Sequence, residues 1–422
     1  MFILTNMKVL LLPSYFLPEG ISSPYISWNR NQAFVEEGWD VVVYTPVPCR
    51  GISDDVRKEY KHKKLEMMLD GKMTVHRFSL IPEKKNPLLR AFRYFVQNIK
   101  QFDRGVFFKD ARSCDVMLIA STPPTQGAMA ALIKKCTGRP FVYNLQDIFP
   151  DSLVGAGFSN EGSILWKIGR VIENFTYKNA DKIVVISEAF KQNIMAKGVP
   201  ENKIEVVYNW VDQKAVVPVA KEYNPLFEEL GINKEKFHVV YAGNLGNAQN
   251  IDVIIDSARE MVGDKEVEFL IFGTGGLKEQ FVEKVKNYGI NNVKFFPLQP
   301  MERVSQVYGL GDACVVSCKP GLGGAAMPSK MLSIMSAGRA VVASFDEGEL
   351  TYILNHYNCG RYAPAGDMQA FVKLIREMVA DRKACEEMGR NARQLILNQF
   401  TREYGTSRYV DIIRKVIENS RS

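Results

Sequence analysis

The chain has 422 residues, enough for a large core and for two domains. Its 46% apolar and 24% charged residues are ordinary for a globular protein, no stretch approaches the roughly 18 uninterrupted apolar residues of a membrane span, and the seven scattered cysteines spell no disulfide or metal-ligand framework. The net charge of +7 favours an acidic partner, but zinc-finger spacing and RNP-type aromatic motifs are absent, which leaves an anionic membrane or a phosphorylated substrate ahead of nucleic acid.

The first residues, MFILTNMKVLLLPSYF, are interrupted by Lys8 and followed by no small-residue cleavage site, so they read as a tail leading into a strand rather than a signal peptide. With reduced thiols this points to a cytoplasmic protein. Cys314 and Cys318, in the strand-like run ACVVSC, suit core packing better than metal binding. Strands are expected at 8–12, 40–45, 74–78, 115–121, 141–145, 182–187 and 203–208, with helices between them. One helix starts at Ser23-Pro24 and stops at Gly38, and another spans 163–179. Alternation of this kind implies parallel sheets and an α/β class.

Residues 84–104, KKNPLLRAFRYFVQNIKQFDR, form a basic amphipathic pattern. Leu88, Leu89, Phe92, Phe95, Val96 and Ile99 share a face, with Lys84, Lys85, Arg90, Arg93, Lys100 and Arg104 around it. Such a helix can lie in an anionic membrane surface, or it can bury the same face in a core.

After Asp212 the periodicity breaks, and residues 213–236, with Pro218 and Pro225, read as a linker. Strands then resume at 238–242, 266–272, 293–296 and 313–317, with a helix from about Ile251. The division is therefore 1–212 and 237–400, two Rossmann-like halves, followed by a terminal helix at 401–422. Val410, Ile412, Ile413, Val416 and Ile417 give that last helix an apolar stripe, for which the first domain is one candidate partner.

Residues 320–342, PGLGGAAMPSKMLSIMSAGRAVV, read as glycine loop, helix, glycine stop and strand. Gly321, Gly323 and Gly324 permit tight bends, Pro328 suits a first helical turn, and Gly338 suits a stop. The helix dipole at Ser329 and the charge of Lys330 together make an anion site fit for a diphosphate. An ordinary loop–helix connection with a solvated lysine fits the spacing equally well, since the loop is neither a Walker loop nor GxGxxG.

Taken in order, YAGNLGNAQNID, FLIFGTGG, VKFFP and MPSKMLSIMSAGRAVVAS, preceded by YNLQDIFPDS and ISEAFKQNIMAKGVPENKIEVVYNWVD, resemble glycosyltransferase family 4, the retaining nucleotide-sugar transferases of GT-B fold. The pattern is most similar to the bacterial O-antigen and capsule L-fucosamine transferase subgroup and covers essentially the whole chain. The resemblance implies two Rossmann-like domains facing across a cleft, the C-terminal one holding the donor, and a terminal helix crossing back to the first. It implies transfer from a nucleotide sugar, UDP-linked and of the N-acetylated amino-sugar kind, with retention and without metal or other cofactor. No Asp-x-Asp occurs in the chain, in agreement with metal independence.

Carried over residue by residue, the family's pair of glutamates around the glycine loop falls on Ala325 and Ser333, and its Arg and Lys after the first strand of the donor domain fall on Asn244 and Gln249. Lys330, Ser329 and the amides around Gly323 and Gly324 are then left with more of the phosphate neutralisation. A sugar-contacting glutamate falls near Glu347 and Glu349, with Glu349 the better fit, although capping a helix suits it too. In the first domain a family histidine is replaced by Gln146-Asp147; Asp147 becomes the candidate near the reacting sugar, and Asp151 reads as a helix cap. Glu19-Gly20 sits where the family's first glycine loop approaches the diphosphate. The catalytic candidates are thus Asp147 and Lys330; the donor-binding candidates are Gly20, Asn244, Gln249, Gly323, Gly324, Ser329, Lys330, Ser333 and Glu349.

The expected acceptor is a polyprenyl diphosphate-linked glycan of O-antigen, capsule or exopolysaccharide synthesis. This places the enzyme peripherally on the inner face of the plasma membrane, docked through Arg90, Phe92, Arg93 and Phe95. Two rival readings share the architecture: a nucleotide-sugar epimerase, and a non-catalytic partner protein suggested by Ala325, Asn244 and Gln249.

Overall fold

The computed structural model describes residues 7–19, 24–81, 83, 86–155, 159–324 and 327–421. Gly20, Ser23, Lys84, Lys85 and Ala325, which carried expectations above, lie outside the described residues. The chain divides into two units: Met1–Tyr208 with Gly405–Ser422, and Asn209–Tyr404.

In the first unit the apolar runs become eight strands: β1 (Lys8–Leu11), β2 (Asp40–Pro46), β3 (Leu65–Met68), β4 (Met73–Phe78), β5 (Val116–Ala120), β6 (Phe141–Leu145), β7 (Lys182–Val185) and β8 (Ile204–Val206). Their order is β3-β4-β2-β1-β5-β6-β7-β8, parallel throughout except for the β3–β4 pair. The central strands are buried and rich in Val, Ile and Leu, the composition a sheet covered on both faces requires. The antiparallel edge β3, LEMM, was not expected from the sequence. It is four residues long, set among charged residues, and partly exposed, so it carries almost no apolar signal.

From Gly405 onward the terminal helix Arg402–Arg421 belongs to this unit. Its stripe, Val410, Ile412, Ile413, Val416 and Ile417, is buried. Tyr409 on the same helix donates from its hydroxyl to Asn144 Oδ1 of β6 at 2.9 Å, and Arg421 pairs with Asp115 at 2.6 Å.

The second unit is a six-stranded parallel sheet of β9 (Phe237–Asn244), β10 (Val267–Thr274), β11 (Val293–Phe296), β12 (Ala313–Ser317), β13 (Ala340–Ser344) and β14 (Gly360–Ala363). The order is β11-β10-β9-β12-β13-β14. One core joins β9, β10 and β12 to helices Ile251–Glu260 and Met368–Ala380. Residues 213–236 lie within this unit: Lys221 pairs with Asp312 at 2.7 Å and Asn224 donates to Gln306 O at 2.8 Å.

Both sheets are doubly wound. Strand order reverses between β1 and β5 in the first and between β9 and β12 in the second. At such a point the loops after the two central strands diverge, and the crevice beyond their carboxyl ends is where ligands bind in open α/β sheets.

Candidate active site

The β9/β12 reversal is where the anion-site residues of the second unit meet. β9 ends at Gly243 and Asn244; β12 ends at Ser317 and leads into the 318–324 loop and then the helix Ser329–Ser336. Pro328 precedes that helix in an extended conformation instead of entering its first turn, so Ser329 opens the helix and Lys330 follows.

Lys330 turns back over β9. Its Nζ lies 3.4 Å from the centre of the Tyr241 ring, a close cation–π contact. The Tyr241 hydroxyl is fixed in turn by donating to Asn244 O at 2.7 Å. Gly243, at φ +149°, has no side chain for a reason: a Cβ there would lie 2.9 Å from Lys330 Nζ. The surrounding protein pushes the ammonium down to about 7, and no carboxylate among the described residues pulls it back. Lys330 is thus a half-buried cation without a counter-ion among the described residues, at the mouth of a parallel sheet, the chemistry an anion site requires.

Beside it, Asn244 Nδ2 donates to Gln249 Oε1 at 3.3 Å, and Ser317 Oγ donates to Gln249 O at 2.6 Å. Asn244 and Gln249 are therefore neighbours, as the carried-over pattern implied, but each supplies an amide and no charge. Lys319 was not singled out from the sequence, where Lys-Pro-Gly looks like a plain turn. Its Nζ bonds Asn247 Oδ1 and its N–H donates to Ala248 O at 3.0 Å, which sets a second cation on the loop of Gln249.

The glycine loop is held differently from expectation. The Gly323 N–H donates to Asp346 Oδ2 at 2.7 Å, so this amide is occupied by protein and does not face a ligand. The correction has a structural cause: the bond ties the loop to the end of β13, where Gly348 packs so closely that a Cβ on it would lie 2.0 Å from Gly324 O. Gly324 is exposed and Ser329 is exposed, whereas Ser333 is half-buried, its Oγ 3.5 Å from Ser329 O. Glu349 begins helix Glu349–His356 and is buried, 7% exposed, with a partner of its own; Glu347 is exposed and accepts from the Tyr362 hydroxyl at 3.3 Å. The Gly348 N–H and the Thr351 hydroxyl cap that helix between them. Among the described residues no three His, Cys, Asp or Glu side chains gather as a metal site.

In the first unit Asp147 follows β6 and is exposed. Ser152 Oγ donates to its Oδ2 at 3.1 Å, while the protein around its base pushes the carboxyl pKa up. Gln146 Nε2 donates to Asn144 Oδ1 at 2.7 Å, linking this loop to the Tyr409 network. Asp151 pairs with Lys197 at 2.7 Å, a structural role. Glu19 is buried and accepts from the amides of Phe16, Cys49 and Arg50 at 3.1, 2.8 and 3.0 Å, so it braces the loop after β1. Asp147 and Lys330 belong to different units.

The 87–107 helix needs one correction. Phe92 and Phe95 are 55% and 61% exposed and Arg90 is half-buried against Glu83 at 3.4 Å, but Arg93 is 2% exposed. The Arg93 Nε donates to Ile81 O at 3.1 Å and its Nη2 contacts Cys49 Sγ at 3.2 Å, so it braces the interior and cannot meet a membrane.

The comparisons with known proteins agree with this geometry. The family description Glycosyl transferase 4-like domain matches residues 31–210, and Glycosyl transferases group 1 matches residues 223–395, so that between them they take up most of the chain. WbjE of Pseudomonas aeruginosa, assigned as a glycosyltransferase, is 25% identical over 79% of this chain and 81% of its own length. WcaI of Escherichia coli strain K12, assigned as a colanic acid biosynthesis glycosyl transferase, is 27% identical over 49% of this chain and 51% of its own. Among solved structures, HepE from Anabaena in complex with UDP superimposes with a TM-score of 0.71 at 16% identity, covering 97% of this chain and 100% of that one. With two doubly wound sheets, parallel but for the β3–β4 pair, a cationic site at the second sheet's reversal and both family descriptions matched in sequence, the chain belongs to the family 4-type glycosyltransferases of GT-B fold.

Proposed function

We propose that this glycosyltransferase moves a sugar, of the N-acetylated amino-sugar kind, from a UDP-linked donor to a lipid-linked glycan in bacterial surface polysaccharide synthesis, with retention and without a metal. The observation that carries the donor half is Lys330: an uncompensated ammonium, pushed down to about 7, over Tyr241 at the β9/β12 reversal. The UDP complex of HepE and the colanic acid assignment of WcaI support the choice of nucleotide and pathway class.

The chemistry asks little covalent work of the protein. The bond from the anomeric carbon to the diphosphate oxygen breaks, and an acceptor hydroxyl attacks from the same face. Its proton passes to the departing diphosphate. Catalysis then rests on stabilising the charge that grows on the leaving group. Lys330 does this directly, with the open amino end of Ser329–Ser336 and the second cation, Lys319, alongside. Asn244 and Gln249 bind by hydrogen bonds where other members place charge. Asp147, held by Ser152, orients the acceptor hydroxyl or steadies the oxocarbenium charge.

The lipid-linked acceptor carries the enzyme to the inner leaflet, and exposed Phe92 and Phe95 with Arg90 are the docking residues. No helix among the described residues is long and apolar enough to cross a membrane.

The test is transfer from a panel of UDP- and GDP-sugars to a polyprenyl diphosphate-linked acceptor, with Lys330→Ala alongside and calorimetric titration of UDP to follow binding. Loss of about 2–4 kcal/mol of transition-state stabilisation is expected from the substitution, the scale of one lost oxyanion donor. Near-wild-type turnover of Lys330→Ala removes the assigned role. NMR of the donor sugar incubated without acceptor separates transfer from epimerisation.

A further inference from the structure

The Pro87–Phe107 helix is inside out. Its polar residues Arg93, Gln97 and Gln101 are buried, and Gln101 Nε2 donates to Pro13 O at 3.0 Å, while Leu88, Phe92, Phe95 and Ile99 face outward. Helix Ile164–Asn179 does the same with Ile164 (80% exposed), Ile168 and Val171 (69%). Between these two helices and Gln126–Thr137 lies an open groove of about 650 Å³, in the size range of small-molecule sites. Phe95, Ile99, Leu132, Leu165 and Ile168 wall it, and Met129 lies beneath. Of its polar groups, Asn98 Nδ2 donates to Thr125 Oγ1 and the Tyr94 hydroxyl is 3.0 Å from that of Tyr15, while Asn98 Oδ1 is buried without a partner among the described residues.

Charge says what covers this face. Leaving aside Arg93, which faces the interior, the three helices carry eight Lys and Arg (Arg90, Lys100 and Arg104; Lys134 and Lys135; Lys167, Arg170 and Lys178) against two acids, Asp103 and Glu173, with Glu83 and Asp181 of neighbouring segments paired to Arg90 and Lys134. An excess of basic residues remains on this face of a chain whose net charge is +7. A second copy of this protein would bring the same positive field and be repelled. A hydrocarbon chain ending in phosphate satisfies both the apolar groove and the field. Tyr94 joins the two: its ring lines the groove, and its hydroxyl meets Tyr15, over whose ring Arg50 lies at 5.6 Å. The Tyr15 hydroxyl also donates to Glu83 at 3.1 Å, and that carboxylate lies 3.4 Å from Arg90 and 4.0 Å from Arg50, so two guanidiniums face one acid there.

We propose that this groove binds the isoprenoid chain of a polyprenyl phosphate-type acceptor, with the phosphate end toward Tyr15 and Arg50. The inference rests on the lipid-linked acceptor proposed above and adds the site that reads the lipid.

The test uses the full chain and a fluorescent farnesyl diphosphate analogue, followed by anisotropy. Wild type binds the probe, and unlabelled polyprenyl phosphate displaces it. Ala128→Trp, which fills the groove from the half-buried wall of Gln126–Thr137, weakens the probe by about tenfold or more yet floats with phosphatidylglycerol vesicles and binds UDP as wild type does. Ala91→Trp, at the exposed rim, serves if the first variant fails to fold. Absence of probe binding by wild type, or unchanged affinity in the filled variants, overturns the proposal. So does joint loss of probe and vesicle binding, which makes the groove part of a general bilayer-docking face, or displacement of the probe only by acidic amphipathic peptide. Probe binding in a protein that binds no nucleotide leaves the groove standing and defeats the donor reading instead.

Discussion

Lys330 sits where a cation is unwelcome until an anion arrives. Its ammonium, pushed down to about 7 with the protein empty, returns toward the ordinary lysine range when a diphosphate binds. The sign follows from proton linkage. The folded, empty protein holds fewer protons on Lys330 than the unfolded chain does above about pH 7, so this group's penalty on stability is full below that pH and fades above it. Binding an anion requires the proton back. UDP affinity is therefore expected to fall as pH rises from 7.5 to 8.5, a window above the titration of the nucleotide's phosphate and below that of its uracil N3–H, by up to about tenfold per pH unit. Lys330→Arg, which stays charged, flattens that slope; an equal slope in both proteins assigns the titration to another group. Lys330 was legible in the sequence because Pro-Ser-Lys after a glycine loop is a local signal. Tyr241 beneath it, Asp346 on the Gly323 amide and Lys319 beside Asn247 were not, since each lies far along the chain from its partner or in a motif that looks like a turn. Arg93 misled for a related reason: periodicity assigns the face a residue shares, but not which face the protein buries.

At the scale of elements, the proposed donor site is two loops pinned to each other. Asp346 at the end of β13 accepts the Gly323 amide, and Gly348 allows Gly324 O to approach where a methyl group would stand 2.0 Å away. Gly348→Ala is expected to push these loops apart, with a stability loss of about 1–3 kcal/mol and weaker UDP binding, read by urea denaturation and calorimetry. Unchanged values for both contradict the account of the loop. Most strands of both sheets were readable because β-branched runs separated by capped helices leave few topologies, but the edge strand β14, GRYA, with little apolar signal, was not. The β3 edge, at four half-exposed residues, was not. The stripe on the last helix was readable as well, but not its polar anchor, since a tyrosine hydroxyl reaching Asn144 across 265 residues has no local trace.

At the scale of the whole molecule, the uneven charge matters most. A chain of net charge +7 with an excess of basic residues on three helices beside an apolar groove is expected to float with phosphatidylglycerol vesicles at low salt and to release as ionic strength rises. The Phe92→Ser/Phe95→Ser double variant is expected to lose most of that binding at every salt concentration, because it removes the insertion and leaves the field. Equal flotation by the variant contradicts the docking face. Composition announced the net charge but not its placement, which needed the helices to be packed side by side. The claim on which the rest turns is that the donor's diphosphate rests at the amino end of Ser329–Ser336. A crystal structure of the protein with UDP tests it most directly. The account predicts a phosphate oxygen about 2.8 Å from Lys330 Nζ, with the diphosphate beside Gly324 and Ser329; a diphosphate bound elsewhere on the second unit, with Lys330 still stacked on Tyr241 and touching no phosphate, contradicts it.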